Sequence, residues 1–262
     1  MKYRYKLIQS GDIVELYEYE NIILAGKDRT EFKRSVPCER TEESPKDEND
    51  SEERSASRAR RTVRRLVNAN VERHYDHKGI KQIPKFMTFT FAENITDLDY
   101  AHDEFKKFMK RFNYHVTGQK KSVLKYVAVV EFQKRGAVHY HVIYFNLPYV
   151  PNDEIREIWG HGFVKINAIE HVTNVGAYVC KYMTKTMEPD DPKARHDFNR
   201  KRYFTSRGLL KPIEKPITNE KELAELVARL APCETFSAEF ANEYTGNIKY
   251  TQFNLKNFSS RS

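Results

Sequence analysis

The 262-residue sequence lacks the features of disulfide-rich, zinc-ribbon and membrane proteins. Its three cysteines, Cys38, Cys180 and Cys233, are far apart and form no Cys-x-x-Cys pair, so neither a zinc ribbon nor a disulfide framework is predicted. No apolar run is long enough to cross a membrane, and the N-terminal residues lack the apolar segment of a signal peptide. The Gly-x-x-x-x-Gly-Lys-Ser/Thr motif of ATP-binding loops is also missing. We therefore expect a cytoplasmic protein with no membrane partner and no ATPase activity.

The charge and the aromatic residues point instead to a polyanionic partner. The chain has 45 Lys and Arg residues against 37 Asp and Glu residues, a net charge of +8. It contains 16 Tyr and 16 Phe but a single Trp. Most of these rings are expected in the core, but rings beside basic residues are also typical of proteins that bind unpaired nucleic-acid bases.

A β-hairpin over residues 125–145 is the clearest local pattern. Two β-branched and aromatic runs flank a three-residue turn, 134–136, which ends in the glycine that such a turn favours. This register places Glu131 opposite His139, and His141 lies two residues further along the same face. Two imidazoles and a carboxylate on rigid strands form a candidate site for a divalent metal.

A helix is predicted over residues 174–186, with Thr173 as its N-cap. At about 100° per residue, one arc of this helix carries two phenols and two ammonium groups, and the opposite arc is apolar. The polar arc consists of Tyr178, Lys181, Tyr182 and Lys185. Such a face suits chemistry on a phosphodiester, with a tyrosine as nucleophile and lysines that bind phosphate oxygens or activate the phenol.

Taken together, these motifs resemble the HUH endonucleases, and among them the rolling-circle replication initiators (Rep proteins) of small phages and plasmids. The resemblance rests on the strand FMTFT at 86–90, His-Tyr-His at 139–141 and two Tyr-x-x-Lys motifs, and it covers about residues 86–186. The paired motifs look most like the two-tyrosine initiators of single-stranded DNA phages. The spacing of Glu131 and His139 also matches the acidic third ligand of several such families.

The resemblance implies a function and its partners. Members of this family nick single-stranded DNA at a replication origin and rejoin it, through a 5′-phosphotyrosine intermediate that needs Mn²⁺ or Mg²⁺. It implies Glu131, His139 and His141 as metal ligands, and a bacterial host cell that supplies a helicase and a DNA polymerase. Both tyrosines would act in turn, although single-tyrosine relatives keep only one.

Three alternatives stay open at the level of sequence. An HUH transposase or mobilisation relaxase would share this chemistry. A non-catalytic origin-binding protein would keep the sheet but would have lost cleavage. An RNA-binding module with the same element order would place exposed aromatic residues where this sheet carries Glu131 and the histidines.

The predicted fold is α+β, an antiparallel sheet with packed helices in the order β-α-β-β-α-β-α, the split βαβ or palm-like architecture. The predicted segments are a β-hairpin extension (1–38), an acidic linker without regular structure (39–56), a basic helix (57–78), the nuclease core (79–188), and a basic loop, helix and β-hairpin (189–262).

The basic helix has three possible roles: it binds DNA phosphates, it covers the sheet, or it folds onto the acidic linker. Its candidate DNA-binding residues are Arg58, Arg60, Arg61 and Arg64. Four further candidates combine basic and aromatic groups in the hairpin turn and in a later loop: Arg135, Lys201, Arg202 and Tyr203.

Overall fold

The computed structural model describes residues 1–24, 48–133, 135–167, 169, 172–184, 202–242 and 245–259. In chain order its elements are β1 (Lys2–Ser10), β2 (Ile13–Leu24), α1 (Glu48–Asn70), β3 (Lys85–Thr90), α2 (Leu98–Thr117), β4 (Tyr126–Phe132), β5 (Val138–Tyr144), α3 (Asn152–Trp159), β6 (Val164–Asn167), α4 (Val175–Thr184), β7 (Tyr203–Thr205), β8 (Ile213–Ile217), α5 (Glu220–Leu230), β9 (Glu234–Asn242), β10 (Gly246–Asn254) and α6 (Lys256–Ser259). Among the described residues, no helix is long and apolar enough to cross a membrane.

The chain divides into two compact units. One unit joins the two ends of the sequence, residues 1–51 and 212–262, and the other spans residues 52–211. The terminal unit is a five-stranded antiparallel sheet in the order β8-β1-β2-β10-β9, and α5 packs on its apolar face. The predicted N-terminal and C-terminal hairpins therefore form one sheet rather than separate segments, because β2 pairs directly with β10.

Helix α1 differs from the basic helix predicted over 57–78. It already begins at Glu48, within the acidic segment predicted as a linker to residue 56. Acidic side chains are favourable at a helix N-terminus, where the helix dipole is positive, so this composition fits the start of a helix. The helix ends at Asn70 because the Asp76 carboxylate accepts hydrogen bonds from the backbone of Lys78 and Ile80, which organises the chain into a tight loop. Residues 25–47, which contain the rest of the predicted linker, lie outside the described residues.

The central unit, residues 52–211, has the predicted α+β architecture. Its antiparallel sheet has the strand order β6-β3-β5-β4-β7. From β3 to α4 the elements follow the predicted order β-α-β-β-α-β-α, and β7 adds a fifth strand beside β4. The predicted fold class is therefore confirmed.

Two apolar layers cover the faces of this sheet. On one face, α2 and α3 pack against the strands through large aromatic residues, among them Phe89, Phe105, Phe108, Tyr140 and Trp159. On the other face, α1 and α4 pack against the strands through a second cluster that includes Val63, Val67, Phe86, Val129 and Val179. Because side chains alternate along a strand, the even-numbered residues of β5 enter the first layer and the odd-numbered ones enter the second.

Candidate active site

The hairpin of β4 and β5 has the predicted register. Glu131 pairs with His139, and the backbone N–H of Gln133 donates to the carbonyl of Ala137 at 2.9 Å. Gly136 closes the turn with φ +84°, in the left-handed region that favours glycine. The turn and the period-2 alternation therefore bring the carboxylate and the histidines to one face of the sheet.

Glu131, His139 and His141 form a buried cluster whose potential ligand atoms all lie within 4.8 Å of one another. Their exposed fractions are only 9%, 6% and 3%. His141 Nε2 contacts a carboxylate oxygen of Glu131. His139 Nε2 is buried without a hydrogen-bond partner, which is costly for a polar atom unless something binds to it. Two imidazoles, a carboxylate and this orphaned nitrogen fit a divalent metal, and the cluster could hold one.

The environment of His139 favours its neutral form. Burial lowers the pKa of His139 to about 4, with a smaller contribution from the neighbouring His141. Glu131 acts in the opposite direction, and the Arg135 guanidinium adds to the lowering. A neutral imidazole keeps the lone pair that a metal ligand needs, so the site is competent for metal binding at neutral pH.

Helix α4 is held in place by α1. The side chain of Asn174, rather than the predicted Thr173, caps it by accepting from Ala177 N at 3.0 Å. Asn68 on α1 donates to Asn174 Oδ1 at 3.0 Å and accepts from Gly176 N at 2.7 Å. A Cβ at Gly176 would lie 2.2 Å from the backbone oxygen of Arg64, so only glycine permits this approach of the two helices.

The two tyrosines of α4 lie beside the Glu/His cluster. The Tyr182 ring stacks on the His141 ring with a centroid distance of 3.9 Å. Its hydroxyl lies 3.2 Å from that of Tyr178. Phe86 contacts both phenol rings, at centroid distances of 5.4 and 5.3 Å. The sheet and α4 thus bring the predicted nucleophiles and the predicted metal ligands together.

The two phenols have different surroundings. The pKa of Tyr182 is raised, first by burial and then by its hydrogen bond with Tyr178, and the Glu131 carboxylate adds to this effect. Lys181 is exposed, and its Nζ lies 5.8 Å from the centre of the Tyr178 ring. Lys185 lies outside the described residues.

The predicted arginines of α1 fall into two groups. Arg58 and Arg61 are exposed, whereas Arg60 and Arg64 are partly buried on the side of α1 that faces α4, where the backbone oxygen of Arg60 accepts from Cys180 Sγ at 3.2 Å. The helix also covers the sheet through the buried side chains of Val63 and Val67, which was one of its three predicted roles.

The remaining DNA-binding candidates lie at two places in the central unit. Arg135 is exposed in the hairpin turn, close enough to His139 to affect its pKa. Tyr203 packs into the apolar layer beneath α1 and α4, and the backbone oxygen of Arg202 accepts from Val130 N. Lys201 lies outside the described residues. The DNA-binding role of all these residues stays a prediction.

Three residues of the site were given no role from the sequence. Thr88 Oγ1 lies 3.0 Å from His141 Nδ1, Phe86 lies against both phenols, and Asn68 locks α4 to α1. Thr88 and Phe86 belong to the FMTFT strand, and their alternation puts them on one face. The missing information was the pairing of β3 with β5, which sets Thr88 opposite His141.

The comparison with known families supports one function class. Residues 84–187 match the family of the replication-associated protein ORF2. This segment contains every element from β3 to α4, and therefore the Glu/His cluster and both tyrosines. Comparisons with curated proteins and with solved structures gave no significant match. The match, which covers about 40% of the chain, makes this segment similar to replication-associated proteins and supports a Rep-like replication initiator.

Proposed function

We propose that this protein is a rolling-circle replication initiator that nicks and rejoins single-stranded DNA at an origin through a phosphotyrosine intermediate. The observation that carries the proposal is the position of the tyrosine pair against the Glu/His cluster. Tyr182 stacks on His141 at 3.9 Å, and Tyr178 hydrogen-bonds to Tyr182. A phosphate bound at the cluster would be within reach of either phenol by a change of side-chain rotamer.

Glu131, His139 and His141 would hold the metal, Mn²⁺ or Mg²⁺. When bound, such an ion supplies Lewis-acid polarisation of a phosphate oxygen. The hydrogen bond between Thr88 and His141 fixes the orientation of that imidazole. The surrounding apolar layer limits the access of water, which favours transfer to a phenol over hydrolysis.

The reaction is a transesterification. The phenolic oxygen forms a bond to phosphorus while the bond from phosphorus to the 3′ oxygen breaks. The phenolic proton leaves, and the departing strand ends in a free 3′-OH. Rejoining reverses these steps, because a 3′-OH attacks the phosphotyrosine and releases the phenol. The phosphoester energy is conserved, so no ATP is consumed, and a host helicase and polymerase would unwind and extend the DNA.

The difference between the two phenols suggests an order of attack. A raised pKa disfavours the phenolate of Tyr182 in the free protein, whereas Tyr178 lies next to the Lys181 ammonium. We therefore assign the first cut to Tyr178. Tyr182 would attack once the first phenol is linked to the 5′ end and its hydrogen bond is gone.

Detection of a covalent protein–DNA adduct on denaturing gels tests the proposal. Tyr178→Phe and Tyr182→Phe should each keep some adduct with a single-stranded origin oligonucleotide, whereas the double variant should form none. Each single variant should fail at strand transfer, which needs both phenols. If the wild-type protein forms no adduct with Mn²⁺ or Mg²⁺ present, the enzymatic proposal is wrong and a binding-only protein remains.

A further inference from the structure

A second cationic site lies on the other face of the same sheet. Residues 103–121, from the middle of α2 into the following loop, carry six Lys and Arg residues against two acidic ones. This leaves a net charge of +4, half of the +8 of the whole chain. The two carboxylates, on Asp103 and Glu104, already bond to Lys106 and Lys107. Among the described residues, Lys110 and Lys120 form no ion pair.

A pocket of about 210 Å³ opens within this patch. Its rim carries three ammonium groups, from Lys106, Lys110 and Lys120, and the hydroxyl of Ser122. Its floor is apolar and rigid, formed by the buried side chains of Met109 and Leu124.

One asparagine holds the two walls of the pocket together. Asn113 of α2 donates through Nδ2 to the carbonyls of Gln119 and Lys121 at 2.8 and 2.9 Å. Its Oδ1 accepts from the backbone N–H groups of Val123 and Leu124. All four hydrogen bonds of this amide are therefore used, and the loop that carries Lys120 has a fixed position against α2.

We propose that this pocket binds a backbone phosphate of DNA, as a second contact outside the catalytic face. Several ammonium groups with a hydroxyl match a phosphodiester, and the apolar floor matches the adjoining sugar. Cationic and neutral ligands lack the charge complementarity that the lysines of the rim require. The proposal takes DNA as the ligand from the proposed function.

The position of the pocket defines which DNA can use it. Met109, Leu124 and Tyr126 belong to the layer between the sheet and α2, whereas the Glu/His cluster faces α1 and α4. Tyr126 and Glu131 are five residues apart on β4, a distance of about 17 Å along the strand. This corresponds to at least about five base-pair steps of duplex. The contact is therefore made by DNA that flanks the cleavage site and not by the nucleotides that are cut.

Salt-dependent binding of the full-length protein to a duplex of arbitrary sequence tests this site, because phosphate contacts do not read sequence. Lys110→Gln/Lys120→Gln removes two contacts. We expect the slope of log K against log salt to fall by about 2, and binding at 0.15 M salt to weaken about 30-fold. Lys110→Arg/Lys120→Arg should bind as the wild type does. Adduct formation with a short single-stranded oligonucleotide should not change in either variant.

A charge-matched control separates a local site from general attraction. Lys211→Gln/Lys221→Gln changes the net charge equally at exposed residues elsewhere. If this control lowers the slope as much as Lys110→Gln/Lys120→Gln does, or if neither changes it, the pocket is not a phosphate site. Binding of dAMP that is lost in Lys110→Gln/Lys120→Gln, without a change in the DNA slope, would assign the pocket to free nucleotides and overturn the proposal.

The two proposals fail separately. Duplex binding does not depend on cleavage, so a missing adduct leaves the slope measurement intact. Circular dichroism melting of each variant verifies that the fold is retained, since all four lysines have exposed side chains.

Discussion

Replacement of Thr88 tests whether the Glu/His cluster is a metal site without any measurement of cleavage. Thr88 Oγ1 lies 3.0 Å from His141 Nδ1, and His141 Nε2 contacts Glu131. If Nε2 carries its proton toward the carboxylate, Nδ1 accepts from the Thr88 hydroxyl. A metal on Nε2 requires the proton on Nδ1, which then donates to the same hydroxyl. A hydroxyl serves both tautomers because it can donate and accept.

Thr88→Val has the same shape and can do neither. Loss of a partner that orients a metal-binding histidine typically costs about 10- to 100-fold in metal affinity, or about 1.4 to 2.7 kcal/mol. We therefore expect the Kd for Mn²⁺, measured by isothermal titration calorimetry without DNA, to rise by that factor in Thr88→Val. Thr88→Ser, which keeps the hydroxyl, should stay close to the wild type.

The stability of the metal-free variant provides the control. A buried nitrogen left without a partner costs about 1 to 3 kcal/mol, and the added methyl group offsets part of this cost. A domain of this size should therefore melt only a few degrees lower, by about 2 to 4 °C per kcal/mol. If Thr88→Val melts in this range and binds Mn²⁺ as tightly as the wild type, His141 is not a metal ligand oriented by Thr88.

Three further predictions concern packing, pH and DNA binding. Gly176→Ala places a Cβ 2.2 Å from the backbone oxygen of Arg64 and should destabilise the fold by about 1 to 3 kcal/mol in urea unfolding, with a larger loss of adduct than of Mn²⁺ binding. Because the pKa of His139 falls from 6.5 to about 4 on folding, the unfolded state binds the extra proton, and the metal-free protein should lose stability as the pH falls from about 6.5 toward 4. His139→Gln should flatten this part of the profile, and an unchanged profile would contradict the buried, neutral imidazole. Arg58→Gln/Arg61→Gln should lower the salt slope of DNA binding by about 2 across all sequences, and an unchanged slope would leave α1 as a cover of the sheet.

Local patterns predicted the parts of the site that lie close together in sequence. The register of β4 and β5 follows from the turn and the alternation, so Glu131 could be placed opposite His139. The helical period placed Tyr178 and Tyr182 on one face of α4, and the short distance between their hydroxyls agrees with it. In both cases a single element and its regular geometry carry the information.

Contacts between distant segments could not be predicted in the same way. The bond from Asn68 to Asn174 joins residues 106 positions apart, and it decides where the tyrosine face points. In the terminal unit the Tyr250 hydroxyl donates to Glu15 across 235 positions. Neither contact has a periodic pattern, because each depends on which strands and helices become neighbours. The separate terminal hairpins and the helix over 57–78 were wrong for the same reason.

The distance between the nucleophiles and the metal ligands is set by the core and not by either motif. His141 lies on a central strand of the sheet, and Tyr182 lies on a helix that meets the sheet through one apolar cluster. Phe86 touches both elements, since its ring stacks near His141 and contacts both phenols. A change of volume at Phe86 would therefore move the tyrosines relative to the cluster without touching DNA. The FMTFT strand thus acts as a spacer between the two halves of the site, which explains in physical terms why all three motifs are needed together.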